Sequence, residues 1–191
     1  MEKRKILMIS AYYRPYCSGV TEYARRLAEK LVKEGHSVAV FTSRHDSKLK
    51  AREIINGVIV IRNPVLFRLS KGVISPFFVL RGALLARKFD FVNIHLPMFE
   101  AGILSLFVKK RKLVTTYHCD LTLNKNMIER IIEWAYYRLA DICAKRSGKI
   151  IAYTEDYASS SIVLKNYKGK IDYALPFIDF GHFKPLDKAG C

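Results

Sequence analysis

Cysteine is scarce in this chain: four residues in 191, at positions 17, 119, 143 and 191. That density cannot staple a small secreted fold, and no two of them form the C-x-x-C pair that opens many zinc sites. Reduced thiols in a cytosolic setting are the simplest reading. Long apolar runs are lacking too. Ile6 to Ser10 is too short for the core of a secretory signal, and Gly72 to Ala86, the longest near-apolar stretch, is broken by Arg81. A membrane-crossing helix needs about 20 apolar residues. Neither G-x-G-x-x-G nor G-x-x-x-x-G-K-[ST] occurs, which speaks against an ordinary dinucleotide fingerprint and a P-loop. Asp-x-Asp is absent, and holding a nucleotide diphosphate through a divalent cation usually needs paired carboxylates. Acids are the minority: 17 against 33 Lys plus Arg, a net charge of +16. That excess fits a nucleic acid, an anionic membrane surface or a phosphorylated substrate, and says nothing of fold.

What is present is the material of a globular domain. Half of the residues are hydrophobic and 12% are aromatic, enough apolar mass for a core in one domain with a short tail. Ile6 to Ile9 is uniformly apolar, as a strand buried on both faces should be. A loop with Pro15 and Gly19 follows. Val20, Ala24, Leu27 and Leu31 then recur on one helical face, and Gly35 ends that helix. Further strands are predicted at 38–41, 58–61, 91–94, 113–116 and 150–153, with helices near 73–88, 99–110, 124–146 and 155–166. Strands alternating with helices mean βαβ units, so the fold class is α/β: a doubly wound, Rossmann-like parallel sheet with right-handed crossovers. The domain is expected over 1–180, and 181–191 as a tail or linker. Ligands in such sheets bind at the carboxyl ends of the strands. That rule selects Ala11–Gly19, His95–Phe99, His118–Leu121 and Thr154–Asp156.

Four features there could carry chemistry. Ser18-Gly19 opens a helix, where backbone N–H groups and the positive end of the dipole hold phosphate. A glycine that merely packs helix on sheet would leave the same trace. His118 ends one strand and can exchange a proton or hydrogen bond with a hydroxyl near neutral pH. Cys119 follows it directly, and neighbours in an extended chain face opposite ways, which speaks against a Cys-His dyad. A lone His in such a place is more often structural; His95 ends another strand, where a histidine that only caps the loop before Pro97 would leave the same trace. The fourth feature is Arg62 to Lys88, where Arg62, Arg68, Lys71, Arg81, Arg87 and Lys88 alternate with Phe77, Phe78 and several leucines. Cations flanking an aromatic and leucine-rich helix suit a membrane surface. The alternative is a crossover helix buried on the sheet with solvated ends. Lys109-Lys110-Arg111-Lys112 adds to the same field.

Together these positions resemble a known pattern: the N-terminal domain of the GT-B glycosyltransferases of family four, the retaining type. The resemblance covers nearly the whole chain. It runs through Ser18-Gly19-Val20-Thr21-Glu22-Tyr23-Ala24, Gly35-His36-Ser37-Val38, Phe91 to Pro97 with its His-x-Pro, Thr115-Thr116-Tyr117-His118-Cys119-Asp120, Ala140-Asp141, Ile150 to Glu155, and Lys170-Ile171 on to Phe183-Lys184-Pro185. Two departures stand out: Ser18 replaces the usual first glycine, and Pro176-Phe177-Ile178-Asp179 lacks the glycine before its Ile-Asp pair.

The resemblance implies retaining, metal-independent transfer of a sugar from a nucleotide-sugar donor to an acceptor hydroxyl, with no cofactor. It implies that Ser18 and Gly19 touch the donor diphosphate, and that His118 contacts the donor sugar as the catalytic residue. His95 and Asp120 would line the acceptor side, with Thr154 and Glu155 in the same cleft. Leaving-group charge on a diphosphate calls for positioned donors more than for a strong base. The acceptor is open to being lipid-linked, with Arg68, Lys71, Phe77, Phe78, Arg81, Arg87 and Lys88 facing an anionic membrane, peripherally on its cytoplasmic side. The family's second domain binds the nucleotide, so a C-terminal GT-B domain is expected as a partner and this half alone should turn over poorly. The rival reading is a non-catalytic basic module for a polyanion or protein. Nucleic acid is not expected, since no RNP-like aromatic motif or groove-fitting basic helix occurs.

Overall fold

A computed structural model describes residues 2–65, 67–69, 72–123 and 126–175 of the chain. The side chains of 67–69, 72–74 and 76 fall outside that description. So do the expected boundary near 180, the tail, and the closing motifs from Pro176 onward.

The chain begins with β1 (Lys5–Ile9), α1 (Gly19–Lys33) and β2 (Ser37–Arg44). Two strands follow, β3 (Arg52–Ile55) and β4 (Val58–Pro64), joined through Asn56 and Gly57, both in the left-handed region (φ 50 and 81). A two-stranded ribbon, β5 (Phe67–Leu69) with β6 (Gly72–Ile74), precedes α2 (Pro76–Ala86). The rest alternates: β7 (Phe91–Leu96), α3 (Glu100–Leu106), β8 (Leu113–Tyr117), α4 (Met127–Arg146), β9 (Lys149–Ala152), α5 (Glu155–Ser160) and β10 (Ile171–Tyr173).

The main sheet has eight strands in the order β10-β9-β8-β7-β1-β2-β4-β3. Every pairing is parallel except β3 against β4 at the edge. β1 lies between β2 and β7, so the winding reverses there. This is the switch point at which such sheets bind ligands. The expected α/β class and doubly wound sheet are what the molecule has.

Each face of the sheet has its own core. Met8, Val38, Val40, Val58 and Val60 pack beneath α1 against Ala24 and Ala28. On the other face Leu7, Ile9, Val92, Ile94, Leu96, Leu113, Ile150 and Ala152 pack beneath α2 to α5. Alternate residues of one strand serve opposite cores, as the period of two requires. α3 and α4 approach closely because Gly102 has no side chain: a Cβ there would lie 2.6 Å from the Leu139 carbonyl oxygen. Cys17, Cys119 and Cys143 are free thiols. Among the described residues no helix is long and apolar enough to cross a membrane.

Two expectations for 62–88 need correcting. The helix starts at Pro76, not near 73, because 72–74 pair as a strand with 67–69 and proline is suited to a first helical turn. Phe78 does not face a membrane. It is buried, with its ring centroid 4.5 Å from that of Phe41 beneath the helix. Arg62 is likewise internal, paired with Glu53 at 2.5 Å and donating to the Lys50 and Arg14 carbonyls. Phe77, Arg81, Arg87 and Lys88 are exposed. Lys71 and the side chain of Arg68 lie outside the described residues.

The contrast between adjacent phenylalanines is directly measurable. Phe78→Ala should cost about 3–5 kcal/mol, the range for emptying a buried aromatic site, while Phe77→Ala should stay within about 0.5 kcal/mol. Urea unfolding of the two variants tests this; equal losses would contradict the burial assigned here.

Candidate active site

Parallel register brings two imidazoles together. His95 pairs with Thr116 across β7 and β8, and the His118 N–H donates to the Leu96 carbonyl at 3.2 Å, carrying the ladder one residue past β8. Val92, Ile94 and Leu96 point into the core beneath α2 to α5, so Asn93 and His95 take the opposite face, shared with α1. Thr116 and His118 follow the same alternation. The result is a polar strip inside the sheet. Thr116 Oγ1 donates to Asn93 Oδ1 at 3.0 Å, and His95 Nδ1 lies 2.9 Å from His118 Nε2.

The chain of contacts continues outward. His118 Nδ1 is hydrogen-bonded to the Tyr153 hydroxyl, one residue past β9. From α1, the ring of Tyr23 meets His118 edge-on at 5.0 Å and lies 5.6 Å from the ring of Tyr153. The planes of the two imidazoles are nearly parallel, 20° apart, with centroids at 5.2 Å. Both are buried, and His95 Nε2 has no partner. Burial holds His95 well below its ordinary pKa, with the neighbouring His118 charge adding to the effect, and burial brings His118 down to about 4. Burial pushes the Tyr153 phenol up to about 12. At neutral pH the chain Tyr153–His118–His95 is therefore uncharged. If Tyr153 donates to Nδ1, His118 must donate from Nε2 to His95 Nδ1; the reverse polarity is equally complete.

The start of α1 is built by Ser18. Its φ of −158 is extended, its hydroxyl accepts from the Thr21 N–H at 3.2 Å, and its own N–H donates to Thr21 Oγ1 at 2.8 Å. This capping box engages Ser18 in the helix itself. The first helical N–H groups, those of Gly19 and Val20, have no carbonyl to reach inside the helix. A Cβ on Gly19 would meet nothing within 4 Å. Gly19 is exposed and Val20 half-buried. Glu22, one turn in, is ringed by Arg25, Arg26 and Arg14. Hydrogen bonds from Arg25 above all bring its carboxyl down to about 2.

The other expected residues fall as follows. His95 does not line an open surface; it backs His118 from inside. Asp120 is occupied rather than open: its carboxylate accepts from the Tyr117 hydroxyl at 2.6 Å, the Ser161 hydroxyl at 2.9 Å and the Ile162 N–H at 3.3 Å. It ties the end of β8 to the segment after α5. Thr154 caps α5, accepting from the Tyr157 N–H at 3.3 Å, and Glu155 is exposed in that first turn. Tyr23 and Tyr153 carry no separate signal in the sequence. Only their places, one turn into the first helix and one residue past a strand, could have marked them. The groove between β4 and α2, about 330 Å³ in volume, is lined by Phe41, Ile61, Leu84 and Leu85 with Arg81 and Lys88. It shares no residue with the His cluster.

A doubly wound sheet with a capped helix start and a histidine chain at neighbouring strand ends defines the class: a Rossmann-like α/β domain of the kind found in GT-B folds. The chain belongs to Glycosyltransferase Family 4, whose profile matches residues 17–180. The GPI3 subunit of phosphatidylinositol N-acetylglucosaminyltransferase from Saccharomyces cerevisiae is 31% identical over 94 residues, covering 47% of this chain and 21% of that protein. In fold, the chain resembles Anabaena HepE, solved with UDP-glucose, with a TM-score of 0.62 and 11% identity over 93% of this chain and 45% of that one. A glycosyltransferase from Rickettsia africae gives 0.55 and 16% over 97% and 47%. An alpha-glucosyltransferase solved with UDP and a 13-mer DNA gives 0.57 and 13% over 93% and 44%. The chain thus spans less than half the length of each.

The neutral histidines set a pH dependence. His118 titrates near 4 in the fold against 6.5 as its ordinary value, so as pH falls the unfolded chain takes up the proton first. Stability is complete above about 6.5 and is lost between there and 4, by on the order of 3 kcal/mol for this one group. Urea unfolding at pH 7 and pH 5 should show the part of that loss reached by pH 5, about 2 kcal/mol, and a His95→Asn/His118→Gln double variant should flatten it. An unchanged slope in the double variant would mean the histidines are not held neutral by the fold.

Proposed function

We propose that this chain is the acceptor-side half of a retaining glycosyltransferase. It would move a sugar from a nucleoside diphosphate donor to a hydroxyl without a metal ion. The observation that carries the reading is the neutral Tyr153–His118–His95 chain on the α1 face, beside the free N–H groups that open α1, in a chain of this family.

The chemistry follows from those groups. Negative charge grows on the leaving diphosphate, and the Gly19 and Val20 N–H groups at the positive end of α1 are placed to receive it. His118, uncharged, acts by hydrogen bonding rather than as a cation. Both its ring nitrogens are already engaged, so a donor sugar hydroxyl meets either the Tyr153 hydroxyl or the Nδ1 that Tyr153 vacates. Tyr153 thereby joins the expected His118 at the sugar. Ser18 serves by shaping the helix start, and Asp120 by fixing the loop beside it. Thr154 and Glu155 stand at the neighbouring strand end, on the acceptor side. The nucleotide itself is held against a second, C-terminal domain of the GT-B kind, and full turnover needs that domain.

A lipid-linked acceptor is favoured by the net charge of +16, by the exposed Phe77 and Arg81 on α2 with Arg87 and Lys88 just after it, and by a relative whose name specifies a phosphatidylinositol acceptor. We place the protein at the cytoplasmic surface of an anionic membrane.

Donor binding tests the reading. Titrating the chain with UDP-glucose and following amide and imidazole NMR signals should move Gly19, Val20, His118 and Tyr153 together, with weak affinity. Gly19→Val should weaken binding at least tenfold with melting unchanged, because the added side chain fills only the open space. Pyrophosphate matching UDP-glucose, with shifts scattered over basic residues and erased by salt, would favour the non-catalytic polyanion module instead.

A further inference from the structure

The helices of one layer are apolar on two opposite sides. α4 shows it most sharply. Its buried residues Tyr136, Ala140 and Cys143 face the core. At about 100° per residue, Met127, Ile131 and Trp134 fall on one line roughly opposite them. These three are 78%, 60% and 60% exposed. α2 repeats the pattern, with Phe77 and Leu80 exposed by 59% and 58% while Phe78 is buried behind them. Between the two lies α3, packed against both, with Ile103 and Phe107 exposed. A surface helix of a soluble domain has one apolar stripe. Three neighbouring helices with a second, outward one make a contiguous apolar surface of the kind that marks an interaction site.

We infer that the outer face of the α2–α3–α4 layer, with Trp134 as its anchor, is a docking surface for an anionic lipid bilayer. This deepens the reading of a membrane-borne acceptor and rests on it; it replaces a single basic segment by a three-helix face. Charge decides the occupant. The apolar ridges are bordered by Arg81 on α2 and Lys88 after it, by the exposed Lys109, Lys110 and Arg111 after α3, and by Arg130 and Arg138 on α4. Arg138 sits over the Trp134 ring, 5.5 Å from its centroid, the pairing of aromatic body and cationic head that suits a headgroup boundary. Two acids of α4 are occupied within the domain: Glu133 accepts from the Leu123 N–H and Asp141 from the Tyr167 hydroxyl. A second copy of the chain would set these cations against themselves, with +16 on each partner. The helices run back against the strands, so Phe77 and Met127 stand toward the edge that carries Tyr153 and His118. An acceptor headgroup at the bilayer surface meets the site from that edge.

Trp134 is the sole tryptophan, so its emission reports this face alone. The chain should be titrated with vesicles of phosphatidylcholine alone and of phosphatidylcholine with 30 mol% phosphatidylglycerol. Emission should shift to the blue only with the anionic vesicles, be quenched by lipids brominated on the acyl chain, and reverse in high salt. Ile131→Glu, on an exposed position, should lower vesicle affinity at least tenfold while its melting and UDP-glucose binding stay as in the parent. If Arg81→Glu/Arg87→Glu/Lys88→Glu abolishes sedimentation with vesicles but Ile131→Glu does not, and Trp134 never shifts, docking is by α2 alone: the three-helix face is overturned and the membrane reading survives. Absence of vesicle binding by the parent chain overturns both. A blue shift that depends on protein concentration without lipid assigns the face to self-association and overturns the bilayer.

Discussion

One hydrogen bond organises the strand ends: His95 Nδ1 to His118 Nε2, 2.9 Å long and inside the sheet. Two neutral imidazoles offer one donor and one acceptor each. Pairing them leaves one nitrogen of each ring, and the two leftovers differ. That of His118 finds Tyr153 at the surface, while Nε2 of His95 is buried without a partner. A buried unsatisfied polar atom costs about 1–3 kcal/mol. The cluster is thus a place where the fold gives up stability to hold a polar group, and stability is given up most often where chemistry is done. Low charge is part of the same arrangement. A protonated pair would place two like charges in a desolvated space, so burial itself keeps the chain in its hydrogen-bonding form.

How much of this was legible in the sequence depends on the range of the contact. The alternation of strand and helix, local and periodic, located β1, β2, β4, β7, β8 and β9 and the winding of the sheet. β5, β6 and β10 have three residues each, too short for a period to appear, and β3 (Arg52–Ile55) mixes Arg and Glu with two isoleucines where β9, equally short, is an apolar run after its lysine. Gly72–Ile74 in particular reads as the apolar start of a helix until its partner strand is known. Phe78 shows the same limit at the level of one residue: Phe77 and Phe78 are identical in local context, and only the crossing of Phe41 beneath the helix separates buried from exposed.

For the site, strand-end position singled out His95 and His118, because parallel α/β sheets gather their polar ends on one edge. Their bond to each other was not visible, since it depends on the register of β7 against β8 over 23 residues of separation. Tyr153 and Tyr23 were not visible for the same reason, coming from two further elements. Asp120 shows the opposite failure. A carboxylate two residues after a strand-end histidine has the look of chemistry, yet three donors from β8 and the segment after α5 converge on it. Ser18 was expected to touch the phosphate; its hydroxyl is engaged by Thr21, three residues on, the spacing at which a capping box closes. The outward apolar lines of α2, α3 and α4 escaped detection because a helix apolar on two opposed sides has little net asymmetry to notice.

The close seam between α3 and α4 has a mechanical consequence. With no room for even a methyl group between Gly102 and Leu139, neither helix can roll about its axis without separating from the other. The nonpolar outer lines therefore keep their spacing whatever they touch. A surface assembled in advance loses little conformational entropy on contact. Attachment and release would then track the composition and ionic strength at the boundary, with no folding step to gate them.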